Sequence, residues 1–195
     1  MKTIGLIGGT TWLSTIDYYR IINQEVNRQL GELHSAKLIL YSIDFYEFKT
    51  LADEGNWPKL TEWFASISQQ LHKCGAEAIV LCANTLHLMV KELEQLIQIP
   101  IIHVADATVI ELRSQDIRKT ALLGTKFTME AAFFKDKLLR QGIEVMIPDA
   151  GEREFIHQTI FSELDRGLLL TETKARYLAI IENLIAKGAE AVILG

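Results

Sequence analysis

Among the side chains able to do chemistry, the thiol of Cys82 has the most telling neighbours. It follows Ala78-Ile79-Val80-Leu81 and precedes Ala83, Asn84, Thr85, Leu86 and His87. An unbroken apolar run of this kind reads as a strand buried on both faces. Small polar residues directly after it read as the turn at the carboxyl end of a parallel sheet, where open α/β folds hold their ligands. A cysteine there also serves simply as a small core residue. The functional reading comes from Asn84 and Thr85, which open a helical stretch whose first N–H groups and dipole favour anions. That field predicts a thiol of lowered pKa and a seat for a substrate carboxylate, with the Asn84 and Thr85 side chains as further hydrogen-bonding groups. Cys74, ending a helical pattern just before Gly75, reads as structural.

Other candidates are weighed the same way. Gly8-Gly9-Thr10-Thr11 reads either as a tight turn or as a rim of amides and hydroxyls for a small anion. Its spacing does not match Gly-x-Gly-x-x-Gly, and Gly124-Thr125-Lys126 lacks the upstream glycine of a phosphate-gripping loop. Glu152-Arg153-Glu154 with His157 begins a helix in the second half. It is either a solvated face or a place where Arg153 holds a carboxylate through two parallel hydrogen bonds. The five histidines lack zinc-site spacing, and no Gly-x-Ser-x-Gly elbow is present. His87 reads as a surface or half-buried helix residue, with the orienting of a neighbour as its functional alternative.

Strands alternating with helices must position these groups. Strands are expected at residues 2–8, 37–43, 78–81, 101–104, 119–124, 144–147 and 191–194. The first helix carries Tyr18, Ile21, Ile22, Val26 and Leu30, with Ser14 as its N-cap and Gly31 as its stop. A helix after Phe45 breaks near Gly55 and resumes at Trp57-Pro58 to reach Cys74, proline being well placed in a first turn. Further helices are expected over 86–97, from an Asp106 cap through Leu112, and over 128–141, 151–165 and 171–187. This alternation implies mostly parallel sheets covered by helices, an α/β fold.

An internal repeat organises the whole. Gly75-Ala76-Glu77-Ala78-Ile79-Val80-Leu81 matches Gly188-Ala189-Glu190-Ala191-Val192-Ile193-Leu194. A weaker echo links Ile7-Gly8-Gly9-Thr10 with Leu122-Leu123-Gly124-Thr125. Two related α/β halves follow, 1–100 with Cys82 and 101–195, divided near Ile99 to Val104. The second half stops where the first continues into Cys82 to Thr85, so the natural chain is expected to run past Gly195 into the counterpart of that segment.

Bulk properties narrow the function classes. The 195 residues are 49% hydrophobic and 23% charged with three prolines, which describes a folded chain with a sizeable core. A net charge of −5 without any Lys/Arg run argues against nucleic acid and anionic membranes as partners. No apolar run nears the roughly 18 residues of a membrane span. Two cysteines make no disulfide framework, and the expected compartment is the reducing cytoplasm.

With these residues in hand, the chain resembles the aspartate/glutamate racemase family. The likeness rests on Gly8 to Thr15, Cys82-Ala83-Asn84-Thr85-Leu86-His87, Gly124-Thr125 with Thr128-Met129, Glu152-Arg153 with Ile156-His157, and Gly188 to Gly195. It implies two pseudo-symmetric domains with the site in the cleft between them, a homodimer, no cofactor, and one catalytic cysteine per domain on opposite faces of the substrate α-carbon. Carried over by position, Cys82 is one acid/base, and Thr10, Thr11, Asn84, Thr85 and Thr125 line an amino-acid substrate, joined by Arg153. The expected activity is pyridoxal-independent racemisation of an acidic amino acid, aspartate foremost, with glutamate or broader substrates open. The resemblance places the second cysteine immediately after Ile193-Leu194-Gly195. Hydantoin racemisation, maleate cis–trans isomerisation and plain small-anion binding stand as alternatives on the same scaffold.

Overall fold

The apolar runs become short parallel strands whose alternate side chains feed two cores each. A computed structural model describes residues 1–195, which form two compact units, Met1–His103 and Val104–Gly195. The fold is α/β throughout, with a four-stranded sheet in the first unit and a three-stranded sheet in the second.

In the first unit the strands are β1 (Ile4–Gly8), β2 (Leu38–Ser42), β3 (Ala78–Leu81) and β4 (Ile101–Ile102), in the order β2-β1-β3-β4. All pairs are parallel, with Ile7 opposite both Tyr41 and Leu81. Ile7, Ile79 and Leu81 point to one face, against Leu60, Phe64, Ile67 and Leu71 of α3 (Trp57–Lys73). Those four helix residues recur at intervals of four, three and four, one stripe of a helix. Each contributes about 1.5–3 kcal/mol by leaving water. Leu6, Val80 and Cys82 point to the other face, where Tyr18 and Ile22 of α1 (Trp12–Leu30) cover them. Asn56 caps α3 and Pro58 sits in its first turn. A shorter helix, α2 (Phe45–Asp53), has Asp44 as its cap.

Two local expectations change here. Thr11, not Ser14, is the N-cap of α1, and Ser14 lies inside the first turn. The helix foreseen over 86–97 is instead a 3-10 helix, Asn84–Met89, followed by a single turn, α4 (Val90–Leu93). Leu86 and Met89 are both buried, and residues three apart line up along a 3-10 helix, so the tighter coil hides both under the sheet.

In the second unit the strands are β5 (Lys119–Leu123), β6 (Glu144–Met146) and β7 (Ala191–Leu194), in the parallel order β6-β5-β7. Leu122 packs with Val109 and Leu112 of α5 (Val104–Ser114) and Phe134 and Leu138 of α7 (Ala132–Leu139). Ala121 and Leu123 pack with Met129 of α6 (Lys126–Glu130), Ile156 of α8 (Ala150–Ser162), and Ile180 and Leu184 of α9 (Thr171–Ala186). Asp106 lies within the first turn of α5, pairing with Lys137 at 2.8 Å instead of capping the helix. The single helix foreseen over 128–141 is divided, because Ala131 is extended (φ −71°, ψ 157°) and serves as the end of α6 and the start of α7.

The sequence repeat is a repeat of hydrogen bonds. Gly75 and Gly188 take φ of 101° and 100°, a region that favours glycine. Glu77 N–H donates to Thr3 and Glu190 N–H to Lys119, both at 2.8 Å. Each glutamate then turns its carboxylate back onto a central strand, Glu77 accepting from Thr3 N–H at 3.0 Å and Glu190 from Arg118 N–H at 2.7 Å. The register continues to the strand ends. Cys82 N–H donates to Ile7 and Gly195 N–H to Leu123, so Gly195 itself takes the register position of Cys82, where the sequence reading placed that counterpart one residue later.

Candidate active site at the Cys82 turn

Two consecutive glycines let the chain leave β1 sharply. Gly9 has φ of 97°, and a Cβ there would run into the Ile43 carbonyl. A Cβ on Gly8 would meet the Thr15 side chain. In exchange, Thr15 Oγ1 accepts the Gly9 N–H at 2.9 Å and Gly8 accepts Ile43 N–H at 3.0 Å. The close packing of this turn on α1 and on the end of β2 depends on the missing side chains.

Cys82 is 1% exposed and held from both directions. Its N–H donates to Ile7 at 2.9 Å, and its carbonyl accepts from Ser14 Oγ at 2.9 Å. Ser14 Oγ also lies 3.0 Å from the Thr11 carbonyl. One hydroxyl thus joins the turn after β1 to the turn after β3, across 68 residues of sequence. The sequence offered Ser14 only as a cap.

The thiol's acidity differs from expectation. Burial pushes Cys82 up to about 12. Tyr18 is also pushed up to about 12, by burial first and by the charge of Cys82 second. The sequence showed Tyr18 only as an apolar helix position; its place beside the thiol needed the sheet order to be known.

Thr10 is buried, and its Oγ1 has no hydrogen-bond partner. Asn84 is half-buried at the start of the 3-10 helix, and its Oδ1 is buried without a partner. Buried polar atoms are ordinarily paired, and these two lie on the turns joined by Ser14. Thr11 caps α1 with its backbone, and its carbonyl accepts from Ser14 and Thr15. Thr85 is half-buried in the first turn of the 3-10 helix. His87 is only 2% exposed, deeper than expected, with Nδ1 3.2 Å from the Ala83 carbonyl and its ring 4.5 Å from that of His103. Cys74 is exposed at the end of α3.

The second unit has its own polar cluster where β5 ends. Thr125 caps α6 and accepts from Thr128 N–H at 3.3 Å. Arg153 is already engaged: Nε donates to Glu130 at 2.8 Å and Nη1 to the Pro148 carbonyl at 2.7 Å. The guanidinium that the sequence offered to a substrate carboxylate has a protein carboxylate beside it. Lys126 pairs with Glu154, and its N–H donates to His157 Nδ1 at 3.3 Å. No group of three or more His, Cys, Asp or Glu residues is arranged to hold a metal, and no helix is long and apolar enough to cross a membrane.

The chain is similar to known proteins along most or all of its length. An Asp/Glu racemase-type protein from Yersinia pestis is 43% identical with a TM-score of 0.92, covering 100% of this chain and 85% of its own. An aspartate racemase homologue from Pyrococcus horikoshii OT3 is 36% identical with a TM-score of 0.82 over the same shares. The broad specificity amino-acid racemase RacX of Bacillus subtilis is 31% identical over 124 residues, 64% of this chain and only 53% of RacX, so the match spans about half of that relative. The family described as Asp/Glu/Hydantoin racemase matches residues 7–195, which include the Gly8–Thr11 turn, Cys82 and the Gly75/Gly188 repeat, and the chain belongs to that family.

Proposed function

We propose that the protein is a cofactor-independent racemase of acidic amino acids, aspartate foremost, in which Cys82 moves a proton at the substrate α-carbon. The observation that carries this reading is a buried thiol at the end of β3, with buried, unpartnered polar atoms on its own turn (Asn84 Oδ1) and on the turn after β1 (Thr10 Oγ1). Inversion of a stereocentre requires a proton to leave one face and another to arrive on the opposite face. As a thiolate, Cys82 accepts the α-hydrogen as a proton, forming S–H, while the electron pair stays on carbon and spreads into the carboxylate. A second acid, which the resemblance assigns to a second thiol, protonates the opposite face. Thr10, Thr11, Asn84, Thr85 and Thr125 are proposed as substrate-lining groups. Arg153 is proposed to join them by holding a substrate carboxylate.

Incubation with L-aspartate or L-glutamate in D₂O tests the reading. Deuterium at the α-carbon without inversion reports proton exchange by one base, and D-enantiomer reports both halves of the reaction. Cys82→Ser is expected to slow exchange roughly a hundredfold or more, the scale of one general acid/base group. Absence of exchange from every acidic amino acid would remove the assignment.

A further inference from the structure

We propose that His157 of α8 is a positioning residue, whose neutral ring holds Lys126 and with it the turn after β5, and that charging the ring in acid releases that turn. The inference rests on the racemase reading, in which Thr125 of this turn lines the substrate. Lys126 is gripped at both ends by α8. Glu154 takes its ammonium, and His157 Nδ1 takes its N–H at 3.3 Å. The two gripping residues stand three apart, on one side of the helix. A peptide N–H only donates, so Nδ1 carries no proton and the ring's hydrogen sits on Nε2. Lys126 opens α6, and an N–H in a first turn has no partner within its own helix. Thr125, one residue earlier, is the cap of α6. Gly124, before it, sits so near the end of β7 that a Cβ there would stand 2.8 Å from the Gly195 carbonyl oxygen. Fixing Lys126 therefore fixes the turn against β7 and sets where Thr125 stands.

Protonation undoes the grip from within. A charged imidazole has hydrogen on both nitrogens, so Nδ1 turns from acceptor to donor and meets the Lys126 N–H hydrogen to hydrogen. The surrounding charges do not offset that loss. Glu154 attracts a charged ring, but it is already paired with Lys126, whose ammonium repels one. The Lys126 hydrogen bond comes first in holding Glu154 below the usual carboxylate range, with the His157 charge a lesser cause. Glu130 of α6 is taken by Arg153. Glu163 ends α8, and the 3-10 turn Leu164–Arg166 after it brings Asp165 and Arg166. From α9 come Arg176 and Tyr177, which lie against Phe155. Both signs are thus represented around α8. Phe127 and Phe161 meet the His157 ring edge to face at 6.4 and 4.9 Å, and such apolar neighbours solvate a new charge poorly. The turn is set at neutral pH and freed as pH falls through the histidine range.

Nitrogen-15 NMR of the whole chain tests the grip without substrate, over about pH 8 to about 5, a range that brackets an ordinary histidine. At the upper end the His157 ring is expected as the Nε2–H tautomer, and the Lys126 amide resonance is expected to move with the ring as it titrates. His157→Asn keeps an acceptor oxygen at similar reach and takes no charge, so in that variant the Lys126 resonance should stay flat. An Nδ1–H ring in the wild type, or a Lys126 amide that titrates alike in both proteins, would overturn the inference. Deuterium exchange at the aspartate α-carbon reads the catalytic consequence. Wild-type kcat/KM is expected to fall about tenfold per pH unit below the His157 midpoint, the slope of one essential group. His157→Asn should abolish that fall and keep the rate at about pH 8 within roughly threefold of wild type. His157→Leu, which offers no acceptor, should lower kcat/KM roughly tenfold at every pH, the scale of one hydrogen bond. An acid fall that persists in His157→Asn sinks the positioning role. Absent exchange in the wild type removes the racemase reading, and the two resonances then decide the grip by themselves.

Discussion

At the scale of single residues, the decisive quantity is the environment of one sulfur. The place of Cys82 at the end of a buried strand is legible in sequence, because an apolar tetrapeptide runs straight into it. Its acidity is not legible. Helix-start chemistry suggested a lowered pKa, and the fold shows burial raising it to about 12 from 9.0. Two outcomes follow for the ligand-free protein. Iodoacetamide should modify exposed Cys74 well before Cys82 at neutral pH, and Cys82 labelling should climb as the solution is made alkaline; mass spectrometry of the labelled peptides reads both. The same thiol links stability to pH. A folded pKa above the unfolded value means the neutral form is preferred in the fold, so its contribution is intact below about 9 and is lost as pH rises toward about 12. Denaturant midpoints should therefore fall over that alkaline window, and Cys82→Ser should flatten the fall. Unchanged slopes in the variant would contradict the assignment.

Elements explain why some expectations survived and others moved. Strands and repeat glycines are strong signals, since continuous Val/Ile/Leu runs and Gly-Ala-Glu-Ala have one physical use each: buried strands and the turn that feeds them. The junctions were harder. Whether Asn84–Met89 coils as 3-10 or α depends on what Leu86 and Met89 must cover, and whether α6 and α7 are one helix depends on the backbone of Ala131. Neither is a property of a local window. Ser14 is the sharpest case, because its partner, the Cys82 carbonyl, lies 68 residues away. Removing that hydroxyl by Ser14→Ala takes from the Cys82 carbonyl its side-chain donor, at a cost of about 1–3 kcal/mol, while the Thr11 carbonyl keeps Thr15. Chemical denaturation should show that loss, and it should exceed the loss for Ser114→Ala, whose hydroxyl bonds only within its own helix end. The paired glutamates make a further element-scale case. Glu190 is held below the usual carboxylate range by the Arg118 and Lys119 N–H groups, so its contribution is present above its unfolded pKa and lost as pH falls. Glu190→Gln should lessen the acid sensitivity of the Lys119–Leu123 strand, read as amide exchange at Thr120 and Ala121.

At the scale of the whole molecule, the outer face of α1 carries a feature its own unit does not use. Trp12, Ile16 and Tyr19 are 59%, 52% and 55% exposed, and their spacing of four and three places them on one side of the helix. An apolar stripe left open to solvent predicts self-association of the chain through α1. Two copies each with a net charge of −5 repel one another, while the apolar stripes attract, so the balance depends on salt. Added sodium chloride screens the repulsion within a Debye length of roughly 10 Å at 0.1 M and leaves apolar contact intact. Association through this stripe should therefore tighten as salt is raised, the reverse of an interface held by ion pairs. Sedimentation velocity across a salt series reads the trend directly. Ile16→Lys, on a position already open to solvent, should shift the species toward monomer while leaving the circular dichroism spectrum unchanged. A monomeric wild-type protein at every salt concentration, or a dimer indifferent to Ile16→Lys, would detach the stripe from assembly.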